Sequence, residues 1–376
     1  MTTWTATAAL PPEGRTGRRC GMRARFVVIV MVAALAAACG GAPGGSAGSA
    51  APSAAPTQDP VKAFYEGKTI RVVVGLEPGG GFDTTARVLA RHMGKYIPGN
   101  PTLVVENMPG AGSRVAANFL YEVAPQDGTV FGVFNENQVL QQVLGAADIK
   151  FDAKKFGWLG STFSATIVCI ARKDSGFKTI QDMQGSKQFI AGSTGPGSNT
   201  GDFPQVLRTA LGANIKIVSG YNGTAGISRA VDSGEVQGGC WTWESMSVTQ
   251  GQNLKDGTMI PLIQQGDDKI AAIGNVPMAS DIATTAQNKA LVKAITAPSV
   301  ISKSFAAPPN VPAARLKALQ EAFTKAWNDP ALKEEATKAK IDIAPKDAAG
   351  VQKIVDELLG YDKATIDALK AALALK

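Results

Sequence analysis

The chain has 376 residues, 45% of them hydrophobic and 18% charged, a balance that excludes wholesale disorder and suffices for two domains with their own cores. The formal charge of +7 is concentrated at the start, where Arg15, Arg18, Arg19, Arg23 and Arg25 stand against the single acid Glu13, so that only +3 remains after Cys39. That remainder has no lysine or arginine block and offers no footprint for nucleic acid; the one histidine, His92, lies between Arg91 and Lys95 and reads as a solvated helical position, which argues against a metal site and His-based catalysis.

Residues 1–39 read as a targeting segment. After Met22, an alternative start, Arg23 and Arg25 precede the apolar run from Phe26 to Ala38, which is shorter than the roughly 20 residues that span a bilayer. The run ends in Ala36-Ala37-Ala38-Cys39-Gly40, with Leu35 one place earlier than the usual lipobox leucine. The expectation is cleavage before Cys39 and lipidation of its thiol; an ordinary cleaved signal peptide is the alternative. Residues 40–60 are rich in Gly, Ser, Ala and Pro and begin without a large apolar side chain, so they read as a tether with a reach of roughly 25 Å.

From residue 69 onward short apolar strands alternate with helices. The run 69–75, TIRVVVG, is β-branched almost throughout, as a strand covered on both faces should be. A helix follows with Ala86, Leu89, Ala90, Met93 and Ile97 on one face and Asp83 as a plausible N-cap. The strand 102–107 leads through PGAGS to a helix carrying Val115, Leu120 and Val123, and 129–134 is a third strand. A second set comprises strands at 164–172, 188–194 and 214–221, with helices near Phe203 to Leu211 and around Ile227, Ala230 and Val231. GGCWTWES, 238–245, then reads as a strand leading out. The tail adds apolar stretches at 259–264 and 300–308 and a helix from Pro312 to Trp327, with Leu316, Leu319 and Phe323 at helical spacing.

The pattern predicts an α/β protein of two lobes joined by hinge strands. The expected division is 61–165 for the first part of lobe 1, 166–243 for lobe 2, and 244–376 for the completion of lobe 1 with the C-terminal helices. Cys169 and Cys240 form an even pair suited to an oxidising compartment. Bridging them would close a loop of about 70 residues, worth ~4 kcal/mol in the chain-entropy model, and would stiffen the hinge if both lie on connecting strands.

Three strand-to-helix loops are rich in glycine: 78–83 (PGGGFD), 193–201 (STGPGSNTG) and 220–224 (GYNGT). In open α/β sheets ligands sit beyond the carboxyl ends of the strands. There glycine lets a guest approach the backbone, and successive N–H groups with a helix behind them attract an anion. The expected ligand is therefore an anion held by neutral donors.

The runs KTIRVVVGLEPGGGFDTTAR, VVENMPGAGS and PQDGTVFGVF resemble the N-terminal signature of the tripartite tricarboxylate transporter receptors, the Bug-type periplasmic binding proteins. The likeness continues through GSTGPGSNTG, GYNGT with SGEV, and APPNVP, and covers the chain from about residue 64 onward. It implies a two-lobed type II periplasmic-binding-protein fold, a small carboxylate clasped between the lobes without a cofactor, and delivery to a large and a small integral membrane subunit. The receptor is expected as a monomer outside the cytoplasm, in the periplasm or on the outer face of the membrane, held by its lipid anchor. Carried onto this sequence, the ligand loops fall on Pro78, Gly79, Gly80, Gly81, Phe82 and Asp83, then on Ser193, Thr194, Gly195, Gly197 and Ser198, and then on Tyr221, Gly223 and Thr224. Asp83 is better suited to capping than to meeting an anion. Asn135 and Ser164, at strand ends, border the cleft.

Departures from the family pattern bear on specificity. Glu77 stands where a neutral residue is common, and GGCWTWES replaces a plainer strand. Trp241 and Trp243, two apart, would share a strand face and either floor a pocket for a bulky acid or pack between lobes. Glu77 and Glu244 either pair with an ammonium group, which favours an amino acid, or are exposed acids. Two other functions compete. The same fold can feed a sensor rather than a transporter. A nucleotide-dependent enzyme is suggested by Gly195, Gly197 and Gly201, but no acid ends the next strand to hold a ribose, and neither a phosphate loop nor a nucleophile elbow is present.

Overall fold

The computed structural model describes residues 59–374; the predicted signal segment, Cys39 and most of the tether lie outside the described residues. Two sheets organise the chain. The first has the order β11-β4-β10-β3-β1-β2, built from β1 (Thr69–Val74), β2 (Thr102–Asn107), β3 (Val130–Val133), β4 (Gly157–Ser161), β10 (Phe305–Ala307) and β11 (Lys346–Asp347). The second has the order β7-β6-β8-β5-β9, built from β5 (Ile167–Arg172), β6 (Phe189–Ser193), β7 (Ile215–Ser219), β8 (Gly238–Thr242) and β9 (Met259–Gln265). Within each, the early strands run parallel, β1 with β2 and β3, and β6 with β7 and β8.

Helices wrap both sheets. α1 (Pro60–Tyr65), α2 (Gly81–Met93), α3 (Arg114–Glu122) and α4 (Asn137–Val143) precede the crossing to the second lobe. There α5 (Ile180–Gln184), α6 (Asn199–Leu211), α7 (Thr224–Ser233), α8 (Trp243–Thr249), α9 (Gly251–Lys255), α10 (Ala279–Ile282) and α11 (Ala286–Thr296) follow. The chain then returns to the first lobe with α12 (Ala313–Asn328), α13 (Pro330–Lys338) and α14 (Ala348–Leu359) and ends in α15 (Lys363–Ala372).

The β-branched run of β1 is buried as a doubly covered strand requires, with Ile70, Val72, Val73 and Val74 all out of solvent. α2 sets Ala86, Leu89 and Met93 against it, and α12 adds Leu319, Phe323 and Trp327 to the same core. α3 differs from its expected face: Ala116, Ala117 and Leu120 are buried, whereas Val115 and Val123 are exposed. Small residues let this helix lie close to the sheet, so the larger valines fall on the outer side. His92 is not a solvated position either. Its ring lies 2.6 Å from Glu335, within a cluster that also ties Lys95 to Asp329 and so joins α2 to α13.

The second lobe extends well past residue 243. β9 pairs with β5 in the second sheet, and α11 adds Leu291, Val292 and Ile295 to the core that holds Phe203 and Leu207 of α6. The return to the first lobe comes only at 297–304, because the apolar stretch 259–264 completes a sheet edge that β5 would otherwise leave bare. α15 then goes back over the second lobe, where Leu369 and Ala372 join that same core. The two main crossing segments run side by side, with the Thr162 amide on the Ser302 carbonyl at 3.2 Å and the Ala165 amide on Ser299 at 2.8 Å.

Cys169 and Cys240 are joined by a disulfide. They face each other across β5 and β8, fully buried. The bridge therefore staples the middle of the second lobe's sheet and does not span the hinge.

Candidate functional site

The carboxyl ends of β1, β2 and β3 in one lobe face those of β6, β7 and β8 in the other, and the loops that leave them meet. From the first lobe come 75–83, 108–114 and 134–138; from the second come 193–199, 220–225 and 242–245. The Gly112 amide donates to the Thr194 carbonyl at 3.1 Å, and the Glu77 amide to the Asn222 carbonyl at 2.9 Å. Gln138 reaches across with its Nε2, which donates to the carbonyls of Gly112 at 2.9 Å and Gly197 at 2.8 Å. The lobes are thus closed on each other, and all three glycine-rich loops lie along the closure.

Glycine is required at two of these contacts. A Cβ on Gly81 would lie 2.0 Å from the Ser245 Oγ at the start of α8, and one on Gly80 would lie 2.9 Å from the Thr224 Oγ1 at the start of α7. The first turns of α2, α7 and α8 consequently approach to backbone contact, and their N-terminal partial charges point into one region.

The loop 78–83 is held open by Asp83. Helix α2 begins at Gly81 with Gly80 as its N-cap, so Asp83 sits in the first turn and reaches back. Its carboxylate accepts from the Gly79 amide at 3.0 Å, from Asn107 Nδ2 at 2.9 Å and from Arg87 Nε at 2.9 Å. Burial pushes its pKa up, but these donors outweigh burial and hold it below the ordinary aspartate value. Asp83 therefore shapes the loop. Pro78 and Gly79 are exposed at its mouth, and Phe82 is buried beside the cleft.

The loop 193–201 is more self-contained than a row of free amides. The Thr194 amide donates to Thr200 Oγ1, the Gly195 amide to Ser193 Oγ and the Gly197 amide to Asp202 Oδ1, each within 3.0 Å, while Ser198 Oγ donates to the Gly195 carbonyl. Ser193, Thr200 and Asp202 supply the acceptors, so these backbone donors are already engaged. In the third loop Gly223 and Thr224 face the cleft, whereas the Tyr221 hydroxyl donates to Glu235 at 2.6 Å, beyond the C-terminal end of α7. Burial and that carboxylate push the phenol up to about 12. Asn135 is buried, with its amide on Ser113 Oγ at 2.7 Å, and Ser164 on the hinge donates to Asp267 at 2.8 Å.

Neither acid singled out for specificity is an exposed acid. Glu77 accepts from the Gly226 amide in the first turn of α7 and pairs with Arg229 at 3.1 Å. Glu244 is fully buried and paired with Lys303. The two tryptophans do not share a strand face, because β8 ends at Thr242 and Trp243 starts α8. Trp241 is buried in the second lobe's core with Ile227 and Val231. Trp243 lines a separate groove of about 670 Å³ with Leu254, Ile273 and Lys340, to which none of the glycine-rich loops contributes.

Several residues of the closure are not legible as site residues in the sequence. Lys303, just before β10, is fully buried, with its ammonium 4.7 Å from the centre of the Phe163 ring and 5.5 Å from that of Phe82. Burial pulls its pKa down against the pull of Glu244. Glu136 accepts from Asn199 Nδ2 at 3.2 Å across the lobes, and burial lifts it to about 7. Asp202 is also lifted to about 7 by burial and accepts from Gln141 Nε2 at 3.3 Å, again from lobe to lobe. Lys303 had one visible signal, a charge inside the apolar run VISKSFAA. Among the described residues, no cluster of His, Cys, Asp and Glu is disposed to hold a metal ion, and no helix is long and apolar enough to cross a membrane.

No curated protein sequence matches the chain. Among solved structures it is similar to the periplasmic binding protein BugD, at 18% identity and a TM-score of 0.67 over 82% of this chain and 98% of that one. It is similar also to MatC from Rhodopseudomonas palustris, described with bound malate, at 19% identity and 0.63 over 80% and 99%. A second R. palustris protein, described with adipate, gives 16% identity and 0.64 over 82% and 97%. These likenesses establish the two-lobed binding-protein fold. The family model of the tripartite tricarboxylate transporter family receptor matches residues 85–371, about three quarters of the chain, and the protein belongs to that family of solute receptors.

Proposed function

We propose that this receptor closes its lobes on a small carboxylate outside the cytoplasm and hands it to the large and small membrane subunits of a tripartite tricarboxylate-type transporter. The observation that carries this reading is the convergence, in one closure, of the first turns of α2 and α7 from opposite lobes with the buried cation Lys303. Helix N-termini and a lysine in a desolvated site are donors that select a negative group. The donor set differs from three rows of free amides. The 78–83 and 223–225 segments supply backbone donors, 193–201 supplies a rigid wall, and Lys303 supplies charge. The malate and adipate in the two R. palustris proteins support the same ligand chemistry for this chain.

Cleavage before Cys39, lipidation of its thiol and a monomeric receptor on a flexible tether complete the proposal. A thermal-shift screen of di- and tricarboxylates, amino acids and aromatic acids tests the ligand class. A receptor for such a ligand is stabilised by about 2.7 kcal/mol at a hundredfold excess over Kd. Response to sugars or phosphate, and to no organic acid, would overturn the reading. Intact mass of the membrane-extracted protein tests the anchor: a diacylated or triacylated N-terminal Cys39 is expected.

A further inference from the structure

We propose that Lys303 and Glu244 are the specificity-determining pair of the cleft and that the ligand is a zwitterion, an amino acid or a close relative, inserted between them. The inference rests on the receptor reading and narrows its ligand.

Three observations lead to it. The pair straddles the lobes, since Lys303 precedes β10 of the first sheet and Glu244 lies in the first turn of α8, directly after β8 of the second. A guest held by both charges would touch the returning crossing segment and the second lobe at once. Next, the pair is wholly buried, and such a pair is costly to break from one side because each partner leaves the other uncompensated. Finally, the closure holds polar atoms with no protein partner: Glu244 Oε1, and the hydroxyls of Thr242, Ser161 and Ser302 on neighbouring chain segments. Lys303 therefore meets one oxygen of Glu244 while the other oxygen is unspent.

Charge balance then decides between ligand classes. Glu136 already faces Lys303, with one carboxylate oxygen 3.5 Å from its backbone amide. A simple carboxylate bound at Lys303 would push Glu244 off and leave two desolvated carboxylates, that of Glu244 and that of the ligand, around one ammonium. A guest carrying both signs adds no net charge: its carboxylate takes Lys303, and its ammonium takes Glu244.

The test is calorimetric titration of the full chain with three matched sets: L-amino acids, the same acids lacking the 2-amino group, such as glutarate for glutamate and propionate for alanine, and the α-carboxamides of the amino acids. At least one amino acid is expected to bind about 100-fold more tightly than both of its partners, since a site built for a polar group strongly rejects analogues that lack it. Glu244→Gln should narrow or reverse the preference over the deaminated acid, and Lys303→Met should narrow the preference over the carboxamide. Deaminated acids binding as tightly as the amino acids to the wild-type chain would overturn the zwitterion inference and leave the carboxylate reading intact. Binding of none of the three sets would overturn the zwitterion inference, and only silence of the di- and tricarboxylates and aromatic acids as well would overturn the carboxylate reading. The wild-type comparison decides the matter even if a variant fails to fold.

Discussion

Glu77 of the first lobe and Arg229 of the second lie 3.1 Å apart, and the same Glu77 carboxylate accepts from the Gly226 amide in the first turn of α7. A side chain of one lobe thus does to a helix N-terminus of the other what an anionic ligand does. Arg229 is largely exposed, so the ion pair itself adds little; the charged hydrogen bond and the helix end carry most of the effect. Glu77→Gln should shift the ligand-free protein toward the open form by about 1–2 kcal/mol. Small-angle scattering would register this as a larger radius of gyration, and an unchanged profile would remove Glu77 from the closure.

Gly81 offers a cleaner separation of folding from closing. It opens α2, and Ser245 of the opposite lobe stands where its Cβ would go, at 2.0 Å from Oγ and 2.9 Å from Cα. Within the first lobe alanine is the better helix residue, so Gly81→Ala should leave the unfolding midpoint of the opened protein level or slightly raised. Ligand affinity should nonetheless fall about 100-fold, the upper end of what overpacking costs, because backbone cannot move aside as a side-chain tip can. Unimpaired binding by this variant would show that the ligand-bound form is less closed than the present one.

How much of this is legible in the sequence follows from the range of the interactions concerned. Most strands of both sheets and the face of α12 are local patterns, periodic in hydrophobicity, and they appear in the structure near their expected places, whereas β4 and the two-residue β11 are not expected from the sequence. The three glycine-rich loops are legible because backbone conformation leaves a mark in composition. Lys303 and Glu136 leave almost none, since their importance comes from burial created by a second lobe distant in sequence. The end of lobe 2 is not legible at residue 243 because MIPLIQQ of β9 looks the same whichever sheet it joins; its pairing with β5 is a tertiary choice. Trp243 escapes the strand alternation that Trp241 obeys because β8 ends one residue before it.

The Cys169–Cys240 bridge closes a separation of 71 residues inside the second lobe. In the chain-entropy model its loss costs about 4 kcal/mol, and the loss should fall on that lobe alone. Replacement of both cysteines by alanine should lower the midpoint of urea unfolding, and hydrogen exchange should accelerate in β5, β6 and β8 while β1 and β3 keep their protection. Because the bridge is fully buried, reductant without denaturant should leave the native protein oxidised. Rapid reduction under native conditions would mean that the second lobe opens locally far more often than its core packing implies.

Closure should also depend on pH, and the sign follows from two carboxyl groups. Glu136 and Asp202 are each raised to about 7 in the closed protein, from ordinary values of 4.5 and 3.8, chiefly by burial. Lys303 faces Glu136 and Arg114 acts on Asp202, but neither offsets the loss of water. When the lobes part or the chain unfolds, both groups regain solvent and titrate near their ordinary values. Between pH 4 and 7 the closed form therefore holds more protons than the opened form, and its stability falls as pH rises through that window. A tenfold difference in proton affinity between the two forms corresponds to about 1.4 kcal/mol, so the two groups together account for several kcal/mol between pH 5 and 8. The ligand-free protein should be compact at pH 5 and should expand, with a lower melting temperature, at pH 8. Glu136→Gln should remove roughly half of that slope, and adding Asp202→Asn should remove most of the rest. Stability that rises from pH 5 to 8, or a slope untouched by both substitutions, would mean that these carboxylates remain ionised in the closed form and that Lys303 and Arg114 hold them so.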